Sequence, residues 1–511
     1  MTQVESDRQR LHELGYAQEL NRKLGWFSNF AVSFSIISIL AGGLTSFWIG
    51  MFAGGPIVIT LGWIIVGFFV MVVGMSMGEI VSTYPTAGAL YYWSARLARS
   101  NGARWAWYTA WFNLLGQIGV IASVDYALSV FTAYFINLFT PFETTAGNIF
   151  WIFLIYLVAH GLLNTFGVNL VKILSDISVW WHVIGVVIFF IILLIVPDNR
   201  EGFAFVGEFR NTTGWTSAIY AFFLGFLLAQ YTITGFDASA HVSEETVGAA
   251  TEAPKAIVRS IYVSAIAALV LNVAMIQATP AGQWDTIAGG FLTAAPELFL
   301  QSVGSALAKL LLFIAIVAQF FCGMAAVTAN SRMIFAFARD GGLPGSKLWA
   351  KINTKTRTPT TSLWLGVVLS AILGTTSLYQ NEGYSVAFFA MTAICVVGLY
   401  IAYAIPIYLR LTKTDFEVGP WHLGKWSRLA GWTSIVWVVF ISLLFFAPIF
   451  PLPSFSEEQE AFINTFNWSG PLVVIFTIVI WAWWHLSAKR TFTGPKAQEN
   501  VAALEQAVGE A

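Results

Sequence analysis

The groups in this chain that could do chemistry lie inside apolar sequence. From Gln230 to Glu245 the chain reads Q-Y-T-I-T-G-F-D-A-S-A-H-V-S-E-E, placing Asp237 just past Gly235, with His241, Glu244 and Glu245 beyond. From Ser33 to Phe47 it reads S-F-S-I-I-S-I-L-A-G-G-L-T-S-F, a Gly42-Gly43 pair flanked by Ser35, Ser38, Thr45 and Ser46. His182 follows Trp180 and Trp181; Asp125, His160 and Glu79 sit in other apolar stretches. Asn113 and Gln117 are spaced i, i+4 and share one helix face. Metal binding or nucleophilic catalysis would need clustered ligands or a nucleophile beside its base. The six histidines are scattered, and Cys322 and Cys395 stand apart. No Gly-rich phosphate loop is present, which argues against direct drive by ATP. What remains is holding a polar solute, or a proton, where water is excluded. No metal and no cofactor is expected.

The elements that must position these groups follow from composition. Of 511 residues, 57% are hydrophobic and 10% charged, against about 25% charged in a soluble domain. Most of the chain therefore has no water-facing side, and the mean hydropathy of +0.71 agrees. The net charge of −1 and the lack of a basic run give no footprint for nucleic acid. The polar start (Glu5, Asp7, Arg8, Arg10, Glu13, Arg22, Lys23) is not a signal peptide. A membrane helix needs about 20 mostly apolar residues. Residues 24–78 hold two such spans, separated at Gly54-Gly55-Pro56. Further spans fall at 105–137, 144–171, 177–197, 211–236, 260–284, 310–331, 358–381, 383–409, 429–456 and 461–488, twelve in all. Unpaired strands cannot cross lipid and no barrel alternation appears, so the fold class is an all-α integral membrane protein. Basic residues collect in alternate loops (Arg96, Arg99, Lys255, Arg259, Lys347, Lys351, Arg410, Lys425, Lys489, Lys496), and Glu457, Glu458 and Glu460 lie opposite. Both termini are expected in the cytoplasm.

Helix and polarity rules are broken twice at membrane depth. Gly42-Gly43 weakens span 1 by roughly 1 kcal/mol per Gly relative to Ala. It reads either as a break or as a close helix contact. In span 6 the stretch past Gly235 stays small and apolar as far as Val242, so a broken helix continuing to about His241 is expected. Spans 1 and 6 open two halves of five spans each. Broken helices in matching positions of two halves point to a transporter site built from inverted repeats. Freed N–H groups at such ends suit a carboxylate, and freed C=O groups an ammonium.

Four motifs now carry a resemblance: S-I-L-A-G-G-L in span 1; M-G-E-I-V-S-T-Y-P-T-A-G-A-L-Y-Y-W, Met77 to Trp93; G-F-D-A-S-A-H-V-S-E-E-T with E-A-P-K-A-I, Gly235 to Ile257; and N-S-R-M-I-F-A-F-A-R-D-G-G-L-P, Asn330 to Pro344. Over residues 20–490 the chain resembles permeases of the amino acid–polyamine–organocation (APC) superfamily, in particular the amino acid/choline branch that includes γ-aminobutyrate (GABA) permeases. The resemblance implies a LeuT-like five-plus-five inverted-repeat core with broken helices 1 and 6. The expected organisation is a cytoplasmic tail (1–23), a ten-helix core (24–410), peripheral helices 11 and 12 (411–489) and a cytoplasmic C-terminal tail (490–511). It also implies a substrate carboxylate at Ala41, Gly42 and Gly43, an amine at carbonyls near Ser38, Ile39 and Thr234, and Phe236 as an aromatic cover beside Gly235. Asp237 is either a counter-charge to the amine or a structural acceptor for freed N–H groups.

Some relatives carry a Lys in span 5 where sodium-driven cousins bind an ion. Counted from Gly167, His182 falls close to that position. It is a candidate for proton coupling, or a packed His beside two tryptophans. Glu79, Asn113, Gln117 and Asp125 are pathway or gating candidates, with a structural role as the alternative for Glu79 and partnering to local polar groups as the alternative for Asp125. His160 reads as a satisfied packing residue, and Arg332, Arg339 and Asp340 as the charged end of span 8. A secondary transporter importing an amino acid or related amine such as GABA, in a bacterial inner membrane, leads these readings. Choline or a polyamine is the alternative substrate; a channel or a transporter-like nutrient sensor is the alternative class. The partners expected are the small solute, a coupling proton and the lipid bilayer.

Overall fold

A computed structural model describes residues 2–166, 168–378, 386–453 and 465–495. Gly167, Glu457, Glu458, Glu460 and Lys496, used above, lie outside the described residues. Among the described residues, eleven helices are long and apolar enough to cross a membrane. We number the apolar helical segments along the chain. Segment 1 is Trp26–Ile36 followed by the turn Ile39–Gly43 and Phe47–Phe52. Segments 2 to 5 are Val58–Thr83, Gly102–Asn137, Ala146–Thr165 and Val168–Ile195. Segment 6 is the shorter apolar piece Ala218–Thr232, continued by Ala238–His241. Segments 7 to 12 are Ala249–Ala278, Ala294–Arg339, Thr360–Gly374, Val386–Thr412, Ser427–Phe446 and Ser469–Trp483.

Several helices outrun the uncharged stretches. Segment 5 takes in Lys172 and Asp176; segment 7 takes in Glu252, Lys255 and Arg259. A charge ends an apolar run but not a hydrogen-bonded helix, because long charged side chains reach the polar boundary while the backbone continues. Segment 8 runs far beyond the expected 310–331, and Gly304, at φ +75°, interrupts it.

Segments 3 and 10 form the tightest seam. A Cβ on Gly119 would lie 2.7 Å from the Cys395 nitrogen, and one on Gly116 would lie 2.6 Å from the Leu399 nitrogen. Such backbone-to-backbone approach needs small residues. Segment 11 packs on segments 2 and 10, and segment 12 on segment 10. The N-terminal tail is not loose. Gln3–Glu13 is a helix with a Thr2–Glu5 capping box. The Asp7 carboxylate accepts the Gly248 N–H at 2.6 Å, at the start of segment 7, where a negative charge complements the helix dipole.

Candidate functional site

The two breaks face each other in the middle of the fold. Segment 1 stops being α-helical at Ile37-Ser38 and turns through Ile39, Leu40, Ala41, Gly42 and Gly43. Segment 6 stops at Thr232 and resumes at Ala238, with Gly235 between them at φ +94°. The contact is close. A Cβ on Gly42 would stand 3.1 Å from the Thr232 Cα, and one on Gly235 would stand 2.3 Å from Ile36 Cγ2. Glycine is needed at 235 for both reasons: the left-handed backbone and the missing volume.

Polar side chains meet much of what the breaks expose. The Ser33 hydroxyl donates to the Phe236 carbonyl at 2.8 Å and accepts the Ser239 N–H at 2.9 Å. Asn29 donates to the Ser239 carbonyl at 3.1 Å and to Thr246 Oγ1 at 2.7 Å. In segment 1 the Ser38 carbonyl accepts the N–H groups of both Ala41, at 3.0 Å, and Gly42, at 2.9 Å. Two of the N–H groups expected to receive a carboxylate thus close a turn on the chain's own carbonyl. Thr234 Oγ1 donates to the Gln230 carbonyl at 2.5 Å.

Asp237 is fully buried at the restart of segment 6. Tyr403 Oη donates to its Oδ1 at 2.7 Å; Gln117 and Asn113 donate to its Oδ2 at 3.1 Å and 3.5 Å. His241 Nε2 lies 3.3 Å from the same oxygen without hydrogen-bond alignment, while its Nδ1 pairs with the Ala87 carbonyl. Among the described residues, the hydrogen bonds to this carboxylate come from side chains of segments 3 and 10, not from freed backbone N–H groups. The segment 3–10 seam is what delivers Gln117 and Tyr403 to one oxygen pair. Phe236 packs against Tyr403 (centroids 5.1 Å apart) and Tyr400 (6.4 Å).

His182 is also fully buried. Its Nε2 is 2.6 Å from Ser38 Oγ and its Nδ1 2.7 Å from the Ser178 carbonyl, with Phe34 edge-on. It therefore touches the segment 1 break directly. Glu79 does not reach the breaks. It ties segment 2 to the start of segment 11 through the Leu423 N–H (3.3 Å) and Ser427 Oγ (2.5 Å), and to the end of segment 10 through Arg410 Nε (3.5 Å). Asp125 lies apart as well, paired with His160 Nδ1 at 3.1 Å. The reading of His160 as satisfied is corrected: its Nε2 has no partner among the described residues.

Close side-chain contacts lie at both ends over the breaks. At the end carrying the N-terminal helix, Arg332 forms a bidentate pair with Glu245 (2.7 and 3.2 Å), and Arg339 meets Glu244 at 3.3 Å. The charged end of segment 8 is where the sequence puts it, but Arg332 is fully buried and the Arg339 side chain nearly so, so both tie segment 8 to the stretch that follows segment 6. Tyr16 and Tyr91 both donate to Asp340, and the Arg339 guanidinium lies 3.9 Å from the Tyr16 ring centroid. Arg22 donates to the carbonyls of Ser243 and Thr246. Burial lowers its pKa, while Asp7, Glu244 and Glu245 pull the other way. At the opposite end Trp48 stacks on Phe52, Phe52 on Phe450, and Trp284 Nε1 donates to the Met51 carbonyl. Sequence reasoning missed Asn29, Ser33, Ser239, Thr232, Tyr400 and Tyr403. A Ser or Asn on an otherwise apolar helix face was the available signal for the first three; the tyrosines gave none.

Residues 24–478 match the model of a family described as amino acid permease. The chain is 40% identical to amino-acid permease BAT1 of Arabidopsis thaliana, over 96% of each chain. It is 37% identical to the rice homologue of that protein, over 95% of each. It is 28% identical to the GABA-specific permease of Saccharomyces cerevisiae, over 99% of this chain and 88% of that one. With the family model spanning nearly all the apolar segments, and the breaks of segments 1 and 6 within it, this multi-pass membrane protein belongs to the amino acid permease family.

Proposed function

We propose that the protein is a secondary transporter that imports an amino acid or related amine by alternating access, coupled to protons. The observation that carries the reading is the pair of facing breaks, Gly42-Gly43 against Thr232 and Gly235 against Ile36. In this reading the fold has twelve spans in two inverted halves of five plus a peripheral pair. The end bearing the N-terminal helix and the C-terminus faces the cytoplasm. Substrate binds among Ser38, Ile39, Ala41, Gly42, Gly43, Thr234, Gly235, Phe236 and Asp237. Its carboxylate displaces the Ser38 carbonyl from the Ala41 and Gly42 N–H groups, and Phe236 covers it. Separation of the Arg332–Glu245 and Arg339–Glu244 pairs opens the cytoplasmic side.

Relatives named amino-acid permease and GABA-specific permease support a reading with amino acids first, GABA among them. A polyamine would need a free carboxylate at the site, and the Asp237 oxygens already accept from Tyr403, Gln117 and Asn113. That supports a zwitterion over choline or a polyamine. His182 is the coupling group of this reading, because it alone joins an imidazole to the Ser38 hydroxyl at the break. Uptake into proteoliposomes from a panel of GABA, neutral and cationic amino acids, choline and putrescine, with an imposed pH gradient, tests the reading. The expected result is saturable uptake and counterflow of one amino acid, with gradient-driven accumulation lost in His182→Ala. Flux without counterflow would identify a channel instead.

A further inference from the structure

Asp125 and His160 are a second buried pair of ionisable groups, outside the facing breaks. They come from segments 3 and 4, and both are fully buried. His160 Nδ1 and Asp125 Oδ2 are 3.1 Å apart, while Asp125 Oδ1 and His160 Nε2 have no hydrogen-bond partner among the described residues. The pair lies directly on the backbone of segment 8. A Cβ on Gly323 would stand 2.1 Å from Asp125 Oδ1 and 2.5 Å from His160 Cε1. Only glycine leaves room for the pair there.

The charge balance of the pair is the central fact. With the carboxylate ionised and the imidazole neutral it carries one negative charge. Near Asp125 stand Cys322 of segment 8, Tyr231 of segment 6 and Tyr156 of segment 4, a thiol and two phenols that are ordinarily neutral near pH 7. Phe320 packs on the imidazole, with ring centroids 4.6 Å apart. No Lys or Arg pairs with either group among the described residues. An uncompensated charge in such a place is strongly disfavoured. One proton shared by the two groups makes the pair neutral.

The pair is also linked to segment 1 through its neighbour in segment 8. Cys322, the neighbour of Gly323, donates its S–H to the Ile36 carbonyl at 3.2 Å. Ile36 ends the first helix of segment 1, at the break. Asn164, one turn beyond His160, donates to the Met324 carbonyl and accepts from Thr328. The pair is thus one residue from the contact that holds segment 1 on segment 8.

We propose that Asp125 and His160 form a proton-binding site, separate from His182, whose proton holds segment 1 against segment 8. The closed arrangement carries the proton. When segment 1 leaves segment 8 and water reaches the pair, the proton passes to that water and the carboxylate stays behind, ionised and hydrated. The site deepens the transport reading given above by adding a second protonation step to the cycle.

The test needs no substrate, so its failure is separable from failure of the transport reading. Purified full-length protein is labelled with a membrane-permeant maleimide between pH 6 and pH 8.5, and peptide mass spectrometry reads Cys322 separately from Cys395. Cys395 serves as the reference for the general rise of thiol reactivity with pH. The expected result is a Cys322 rate that climbs at least fivefold more than the Cys395 rate. The excess disappears in Asp125→Asn, which is neutral at every pH, and persists in His182→Gln. An excess that survives in Asp125→Asn, or that vanishes in His182→Gln alone, overturns the proposal, as does its absence from the wild-type protein. Where gel filtration shows Asp125→Asn misfolded, the wild-type and His182→Gln profiles decide on the same criteria.

Discussion

Alanine at Gly235 should damage the protein through two separable terms. The residue sits at φ +94°, and a Cβ in left-handed backbone costs roughly 1–2 kcal/mol. That Cβ would also fall 2.3 Å from Ile36 Cγ2, an overlap of the kind that costs about 1–3 kcal/mol in a packed core. Together they amount to roughly 2–5 kcal/mol. Even the lower figure shifts a folding or docking equilibrium about thirtyfold. The assay is denaturation in mixed micelles, paired with transport per folded molecule. The decisive experiment is a double-mutant cycle with Ile36→Ala, which removes the atom in the way. Ile36→Ala alone costs about 2–5 kcal/mol as a large-to-small core change. In the Gly235→Ala background it should cost about 1–3 kcal/mol less, because the clash goes with it. The backbone term remains in both. Gly235→Ala with wild-type stability and transport would refute the reasoning outright, and strict additivity in the cycle would refute its steric half.

Three further outcomes follow from particular contacts. Arg332→Met should cost about 3–5 kcal/mol by leaving the buried Glu245 carboxylate alone, and Arg332→Met with Glu245→Leu should recover most of it in the same denaturation assay. Tyr403→Phe removes the 2.7 Å bond to Asp237 and should cost about 1.5–3 kcal/mol, the worth of a hydrogen bond to a charged group. Asp237→Asn should then be milder in the Tyr403→Phe background than in the wild type. Deleting residues 2–13 removes Asp7 from the Gly248 N–H and Arg10 from the Thr83 carbonyl. A cysteine introduced by Thr246→Cys should label faster in that variant, since the end of the bundle it helps cover loosens; unchanged labelling would show that the N-terminal helix carries no closing load.

The limits of the sequence can be traced to particular residues. Gly42-Gly43 and Gly235 announce themselves because mid-span glycines and neighbouring polar residues break rules that act along the chain. Arg332 and Arg339 could be placed at the charged end of segment 8, but nothing local says that Glu245 and Glu244, far away in sequence, return to meet them. Asp237 stayed ambiguous between two roles for the same reason. Its donors, Tyr403 and Gln117, come from helices far apart in sequence. Glu79 stayed open between a structural and a gating role in linear order; its partners Leu423, Ser427 and Arg410 make it a strut between segment 2 and segments 10 and 11.

Composition and order alone determine that this chain is helical and lies in lipid, because backbone hydrogen bonds must close within each segment where no water can replace them. They also determine where two of those helices are weak. The tertiary structure decides which weak points meet, and so what they can hold. That depends on glycine seams such as Gly116–Gly119 against Leu399 and Cys395, whose consequence is distance between backbones. Whether a buried carboxylate ends beside a tyrosine, an arginine or a histidine follows from those distances, and with it the difference between a strut, a gate and a proton site.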